Sequence, residues 1–103
     1  MAENNSQGKK ITYTLRLASQ LDEAINYLYD NYAPTQAKIM GQQFFEAIRL
    51  LQKAPWIGTK HKNGMRQIKL GKFSYNIYYR EKETEIEILG IWHTSRGTEF
   101  EES

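Results

Sequence analysis

The sequence predicts an α+β domain in the order βααβββ, a helical hairpin packed against a small, mostly antiparallel sheet. Three observations point to it. Residues 11–17 alternate apolar and polar, two stretches with helical spacing follow, and from residue 66 onward the apolar period becomes two.

The first run, ITYTLRL, puts Ile11, Tyr13, Leu15 and Leu17 on one face, which is a strand signature. Ser19, with Asp22 three residues later, has the spacing of a capping box and is expected to open the first helix. Leu21, Ala24, Ile25, Leu28 and Tyr32 then form its apolar stripe. Pro34 suits a first helical position, because its missing N–H is one of the helix's orphan donors, and so restarts the chain as a second helix. That helix carries Ala37, Met40, Gly41, Phe44, Ile48 and Leu51 along one side and ends at Pro55, and the Phe44-Phe45 pair reads as helix packing. The short gap between the two predicts an antiparallel hairpin.

A turn-rich basic loop, WIGTKHKNG, leads into RQIKL (66–70), SYNIYYRE (74–81) and EIEILGIW (85–92), read as three consecutive strands of a meander. Gly71-Lys72-Phe73 and Lys82-Glu83-Thr84 supply the turns. Arg66 shares its parity with Ile68 and Leu70, and His93 shares its parity with Leu89 and Ile91, so each polar group is expected to extend an apolar face at a strand end. Tyr75, Tyr78 and Tyr79 fit sheet packing, with base stacking as the competing reading.

At 103 residues the chain makes one domain, expected over residues 11–100, with residues 1–10 as a disordered polar lead-in. A domain of this size buries roughly 60–70% of its unfolded surface and needs no disulfide or metal to fold. The absence of cysteine removes thiolate zinc sites, disulfides and thiol nucleophiles together. No apolar run approaches the roughly 20 residues of a membrane span, and the first ten residues lack the apolar core of a secretory signal. A cytoplasmic protein without membrane partners is expected. No His/Asp/Glu cluster has metal-ligand spacing and no Gly-rich phosphate loop is present, so neither a metal nor another cofactor is expected.

The net charge is only +2, but it is unevenly spread. Between Ala47 and Arg80 there is no acid, while Arg49, Lys53, Lys60, Lys62, Arg66, Lys69, Lys72 and Arg80 are all basic. Such a block is either a solvated face or an electrostatic footprint for an anionic partner, nucleic acid or acidic protein.

His93 and Arg96 end the last strand, Arg66 begins the first strand of the meander, and His61 lies in the basic loop. Metal-free RNA cleavage needs a base for the 2′-hydroxyl, a donor for the leaving 5′-oxygen and stabilisation of the phosphorane charge. Imidazole can move the protons and guanidinium can hold the oxyanion. Strand ends of a meander can bring Arg66, His93 and Arg96 to one edge with His61 nearby. A structural reading competes: His93 caps the sheet, Arg96 pairs with a tail acid such as Glu99, and His61 is an ordinary loop residue.

The phrases "LDEAINYL…P…A", "PWIG" and above all "MRQIKLGKFSYNIYYR…IEILGIWHTSR", with the βααβββ order, resemble the RelE/ParE superfamily of toxins from type II toxin–antitoxin systems. The resemblance covers nearly all of residues 11–100. It implies a cytoplasmic toxin that arrests growth, a plasmid-stabilisation role, and a cognate antitoxin bound in a hetero-oligomer. RelE-like members are endoribonucleases that cleave mRNA on the ribosome, whereas ParE-like members inhibit DNA gyrase. By this resemblance Lys60 and Lys62 match a basic loop that contacts RNA, and Lys69 and Lys72 add to the RNA-binding set. Arg66 and Arg96 match functional arginines, and His93 matches a catalytic basic position. Phe100 falls where the best-known nuclease has a tyrosine; a phenyl ring can stack on a base but cannot transfer a proton. Gly71-Lys72 stands where that enzyme has an arginine. The ribosome-dependent nuclease and the gyrase inhibitor are therefore both open, as is an inactive member that only binds antitoxin.

Overall fold

A computed structural model describes residues 9–95 and 98–102. Strand β1 (Lys10–Tyr13) leads into helices α1 (Leu15–Asn31) and α2 (Pro34–Lys53). Four strands follow: β2 (Thr59–Lys60), β3 (Arg66–Lys69), β4 (Tyr75–Glu81) and β5 (Glu85–His93). They form one sheet in the order β1-β5-β4-β3-β2, antiparallel throughout except that β1 runs parallel to β5. The α+β order with a helical hairpin on one face is as the sequence predicts. Of the lead-in expected over residues 1–10, Lys10 opens β1 and Lys9 pairs with Glu81 at 2.8 Å; residues 1–8 lie outside the described chain.

The first strand is shorter than its alternation suggests, because the helix begins at Leu15. Thr14 is the N-cap: its hydroxyl oxygen accepts from the Leu17 N–H at 3.0 Å and donates to the Leu89 carbonyl at 2.8 Å. Ser19 and Asp22, expected to cap, lie inside the first turns of α1. Residues two apart point to different sides of a helix, so Leu17 is buried while Leu15 is 91% exposed. Tyr32 is the C-cap residue and is exposed, so it is not part of the inner stripe. In α2, Pro34 sits at the first turn and Ala37, Met40, Phe44, Ile48 and Leu51 are all buried. Phe45, expected to pack, is 63% exposed and touches Phe44 only edge-on.

The main core lies between the hairpin and the inner face of the sheet, where Ile77, Tyr79, Ile86, Ile88 and Ile91 meet the helical stripes. The outer face carries a second, smaller core of Met65, Tyr78, Leu89 and Phe100, with Trp92 packed against it. The C-terminal segment 98–102 lies over this face and contributes Phe100.

A β-bulge explains how β5 serves both cores. Tyr79 faces Ile88 and Tyr78 faces Gly90, which leaves Leu89 as the extra residue. Ile86, Ile88 and Ile91 consequently point inward while Leu89 points outward, so the parity expected to join His93 to both Leu89 and Ile91 holds only for Ile91. Beyond Ile88 the flank of β5 has lost β1, and the Ile91 N–H donates instead to Gln20 Oε1 at 2.8 Å. Gly90 has no room for a side chain: a Cβ there would stand 2.6 Å from Phe100 and 2.7 Å from Gln20.

Candidate functional site

The polar residues singled out by the sequence fall into three separate settings. Arg66 starts β3 opposite Tyr79. Its guanidinium donates to the carbonyls of Gly58 at 2.8 Å and Trp56 at 3.2 Å. Tyr79, fully buried, donates its hydroxyl to the Pro55 carbonyl at 2.8 Å and accepts from the Gly58 N–H at 2.9 Å. Burial pushes the Tyr79 phenol above its usual pKa. Together Arg66 and Tyr79 hold the 3-10 turn Pro55–Ile57, so the guanidinium is committed to the chain's own carbonyls.

His93 ends β5, opposite Tyr75, and packs edge-on against its ring with centroids 5.0 Å apart. The Ser95 N–H donates to His93 Nδ1 at 3.1 Å, with the Ser95 hydroxyl 2.6 Å from the same nitrogen. A backbone donor aimed at Nδ1 makes that nitrogen an acceptor and leaves the proton of the neutral ring on Nε2. Arg96 lies outside the described residues. Arg66 and His93 are opposite Tyr79 and Tyr75, four positions apart on β4. That offset alone is about 13 Å, and the two residues also lie on strands separated by β4. They do not share one edge.

His61 is on the other side of the sheet. Its ring meets Tyr78 edge-on at 5.3 Å, and its Nε2 is buried without a hydrogen bond, 3.6 Å from Glu99 Oε1. Lys62 Nζ lies 2.8 Å from Glu101 and 3.6 Å from Glu99. A left-handed turn at Asn63 (φ 60°) and Gly64 (φ 75°) presents the Asn63 carbonyl to Arg80 at 2.9 Å. Arg80 also holds Glu102 through both carboxylate oxygens at 2.6 and 2.8 Å. The hydrogen bond from Lys62 keeps the Glu101 carboxyl below its ordinary value, and that from Arg80 does the same for Glu102; the partners raise Lys62 and Arg80 in turn.

Phe100, expected to offer its ring to a base, is fully buried under this network. It stacks on Tyr78, meets Trp92 edge-on and lies beneath Arg16, whose guanidinium carbon is 4.6 Å from the ring centroid. Arg16 donates to the Glu101 carbonyl, and the Trp92 indole donates to the Thr98 carbonyl at 2.9 Å. Lys60, Lys69 and Lys72 are exposed at the β2 edge, the end of β3 and the following turn; the Lys72 N–H donates to Gln43 Oε1 at 3.3 Å. Among the described residues no three His, Asp or Glu side chains could hold a metal ion, and no helix is long and apolar enough to cross a membrane.

The sequence reading missed Arg16, Tyr78, Arg80 and Trp92 as parts of one surface. The signal was present in the charge pattern, since the acid-free block ending at Arg80 is followed by Glu99, Phe100, Glu101 and Glu102. Two cations of that block, Lys62 and Arg80, pair with the glutamates of the tail.

No curated protein matches the chain. Among solved structures, the chromosomal ParDE TA system from P. aeruginosa superposes with a TM-score of 0.75 at 23% identity, over 86% of this chain and 99% of that one, which shows a shared fold. The family model described as the ParE toxin of type II toxin-antitoxin system, parDE, matches residues 11–97. A match over that span means that the chain belongs to the ParE toxin family.

Proposed function

We propose that this protein is a growth-arresting toxin that a cognate antitoxin neutralises, and that it acts by binding a protein target, DNA gyrase, rather than by cutting RNA. The observation that carries this reading is the dispersal of Arg66, His61 and His93. Cleavage of a phosphodiester needs its proton donor, proton acceptor and charge stabiliser within hydrogen-bond reach of one phosphate. Here Arg66 is held by two carbonyls of the turn ahead of β2, His61 faces the tail on the outer surface, and His93 stands at the far end of β5. Phe100 supplies no proton and is buried.

The helical hairpin, by contrast, leaves Tyr27, Tyr29, Tyr32 and Phe45 more than half exposed. Exposed aromatic rings are the side chains that protein interfaces favour. Gyrase as the target follows ParE-like relatives, and a cytoplasmic site of action follows from that target.

The test measures gyrase supercoiling and mRNA cleavage on translating ribosomes with the same purified protein. Inhibition of supercoiling at toxin concentrations that leave the mRNA intact is expected. Cleaved mRNA with unaffected supercoiling would return the assignment to the ribosome-dependent nuclease.

A further inference from the structure

We propose that the outer face of the sheet is a binding site for an extended acidic peptide with a single aromatic anchor, and that residues 98–102 are its resident, displaceable occupant. The proposal goes beyond the choice of toxic target and stands whether or not gyrase is that target.

The resident segment shows what the surface takes. Its sequence, T-E-F-E-E, places one ring between glutamates. The ring enters a seat made by Tyr78, Trp92, Leu89 and Met65, with the bare backbone of Gly90 below it and Arg16 above. Around the seat, cationic groups meet each carboxylate, Lys62 for Glu99 and Glu101 and Arg80 for Glu102, and the His61 ring lies beside Glu99. Two main-chain carbonyls of the segment are read as well, that of Glu101 by Arg16 and that of Thr98 by the Trp92 indole. An aromatic pocket with a charged rim and donors for backbone carbonyls is how proteins recognise short linear peptides.

The hold is of a kind that can be exchanged. Glu99 and Glu101 are 61% and 68% exposed, so their ion pairs are screened by salt. The segment is held on the face by side-chain contacts, hydrogen bonds and ion pairs. A partner segment of the same chemistry that reaches further along the face competes with it. A shallow open cleft lined by Thr14, Arg16 and Leu89 adjoins Phe100 and Glu102 and gives such a segment additional surface.

The experiment uses the full chain and a labelled synthetic peptide, TEFEES, with a second peptide in which Ala replaces the Phe. Wild-type protein should bind TEFEES weakly because its own tail is seated. Phe100→Ala, which removes the tethered anchor, should bind it at least tenfold more tightly, with loss of binding to the Ala peptide and weakening in high salt. Where Phe100→Ala fails to fold by circular dichroism, E99Q/E101Q/E102Q serves as receptor, since it keeps the ring and removes only the rim charges. No tightening in the folded variant overturns the proposal. An oligouridine strand that binds the variant in preference to the peptide overturns the peptide assignment in favour of RNA. A doubled mass by light scattering for wild type, lost in Phe100→Ala, would show that the tail seats on a second copy and overturns the resident reading.

Discussion

Phe100 lies flat on Tyr78, with ring centroids 4.5 Å apart and planes within 9° of parallel. The pair joins the end of the chain to the middle of the sheet and is the centre of the outer core. Phe100→Ala should destabilise the fold by about 3 kcal/mol, the low end for removing a buried phenyl ring, because the freed tail can withdraw and let water into the seat. Denaturant titration checks this. A change under about 0.5 kcal/mol, the level of an ordinary surface substitution, would mean that the tail adds nothing to the folded state.

Tyr79 tests the inner side. Replacing it with Phe keeps the ring but leaves the Gly58 N–H and the Pro55 carbonyl without their partner. The expected loss is about 1–3 kcal/mol, the desolvation penalty of buried polar groups left unmade. Proteolysis should then cut first near Pro55–Ile57. Stability equal to wild type would show that Arg66 holds that turn alone.

Acid should release the tail before it unfolds the domain. Glu101 and Glu102 have folded-state pKa values lowered by Lys62 and Arg80. A lowered carboxylate contributes stability that is present above its unfolded value, near pH 4.3, and is lost as pH falls through the lower folded value. In a Trp56→Phe background, Trp92 fluorescence should therefore shift on going from neutral pH to about pH 3, below the ordinary glutamate range. The shift should come before any loss of far-ultraviolet circular dichroism. E99Q/E101Q/E102Q should show no such step, and an identical step in that variant would assign it to other groups.

His93→Gln separates chemistry from packing. The ring touches Tyr75 and Ser95 at the end of β5 and fills no core position. The variant should lose less than about 1 kcal/mol of stability, retain antitoxin binding and still inhibit supercoiling. A folded variant that has lost toxicity would make His93 part of the toxic machinery, since a missing general acid or base costs roughly 10²–10⁴-fold in rate.

The elements were legible where hydrophobic period and punctuation agree. Pro34 and the stripe from Ala37 to Leu51 fix α2 almost to the residue, and β3, β4 and β5 fall within a residue or two of their period-two runs. The start of α1 was not legible, because Tyr13, Leu15 and Leu17 alternate equally well as strand or as strand turning into helix; only the hydroxyl of Thr14 decides it. Nor was the bulge at Leu89, which shifts the inward face of β5 by one residue without any glycine or proline mark before Gly90. The separation of Arg66 from His93 has a different origin. Arg66 begins β3 and His93 ends β5; both strands run antiparallel to β4 and hence in the same direction, so the two residues stand at opposite ends of the sheet, as the meander order itself implies. Phe100 was read as a free aromatic because a lone Phe among glutamates has no periodicity to show that it is core.

The parallel pairing of β1 with β5 also governs when this protein can become itself. Lys10 to Tyr13 have no strand neighbour until Glu85 to Ile88 exist, and β5 is also the strand on which β4 rests. During synthesis the helical hairpin appears early, yet its apolar face has no completed sheet to cover it. Closure waits for β5 and then requires a contact between residues about 75 positions apart, which slows folding relative to a helical bundle. Nascent chains halted before Glu85 should stay open to protease, and resistance should appear only once β5 has emerged. The domain thus cannot close before β5 has been made, and a chain interrupted ahead of Glu85 lacks the partner strand of both β1 and β4.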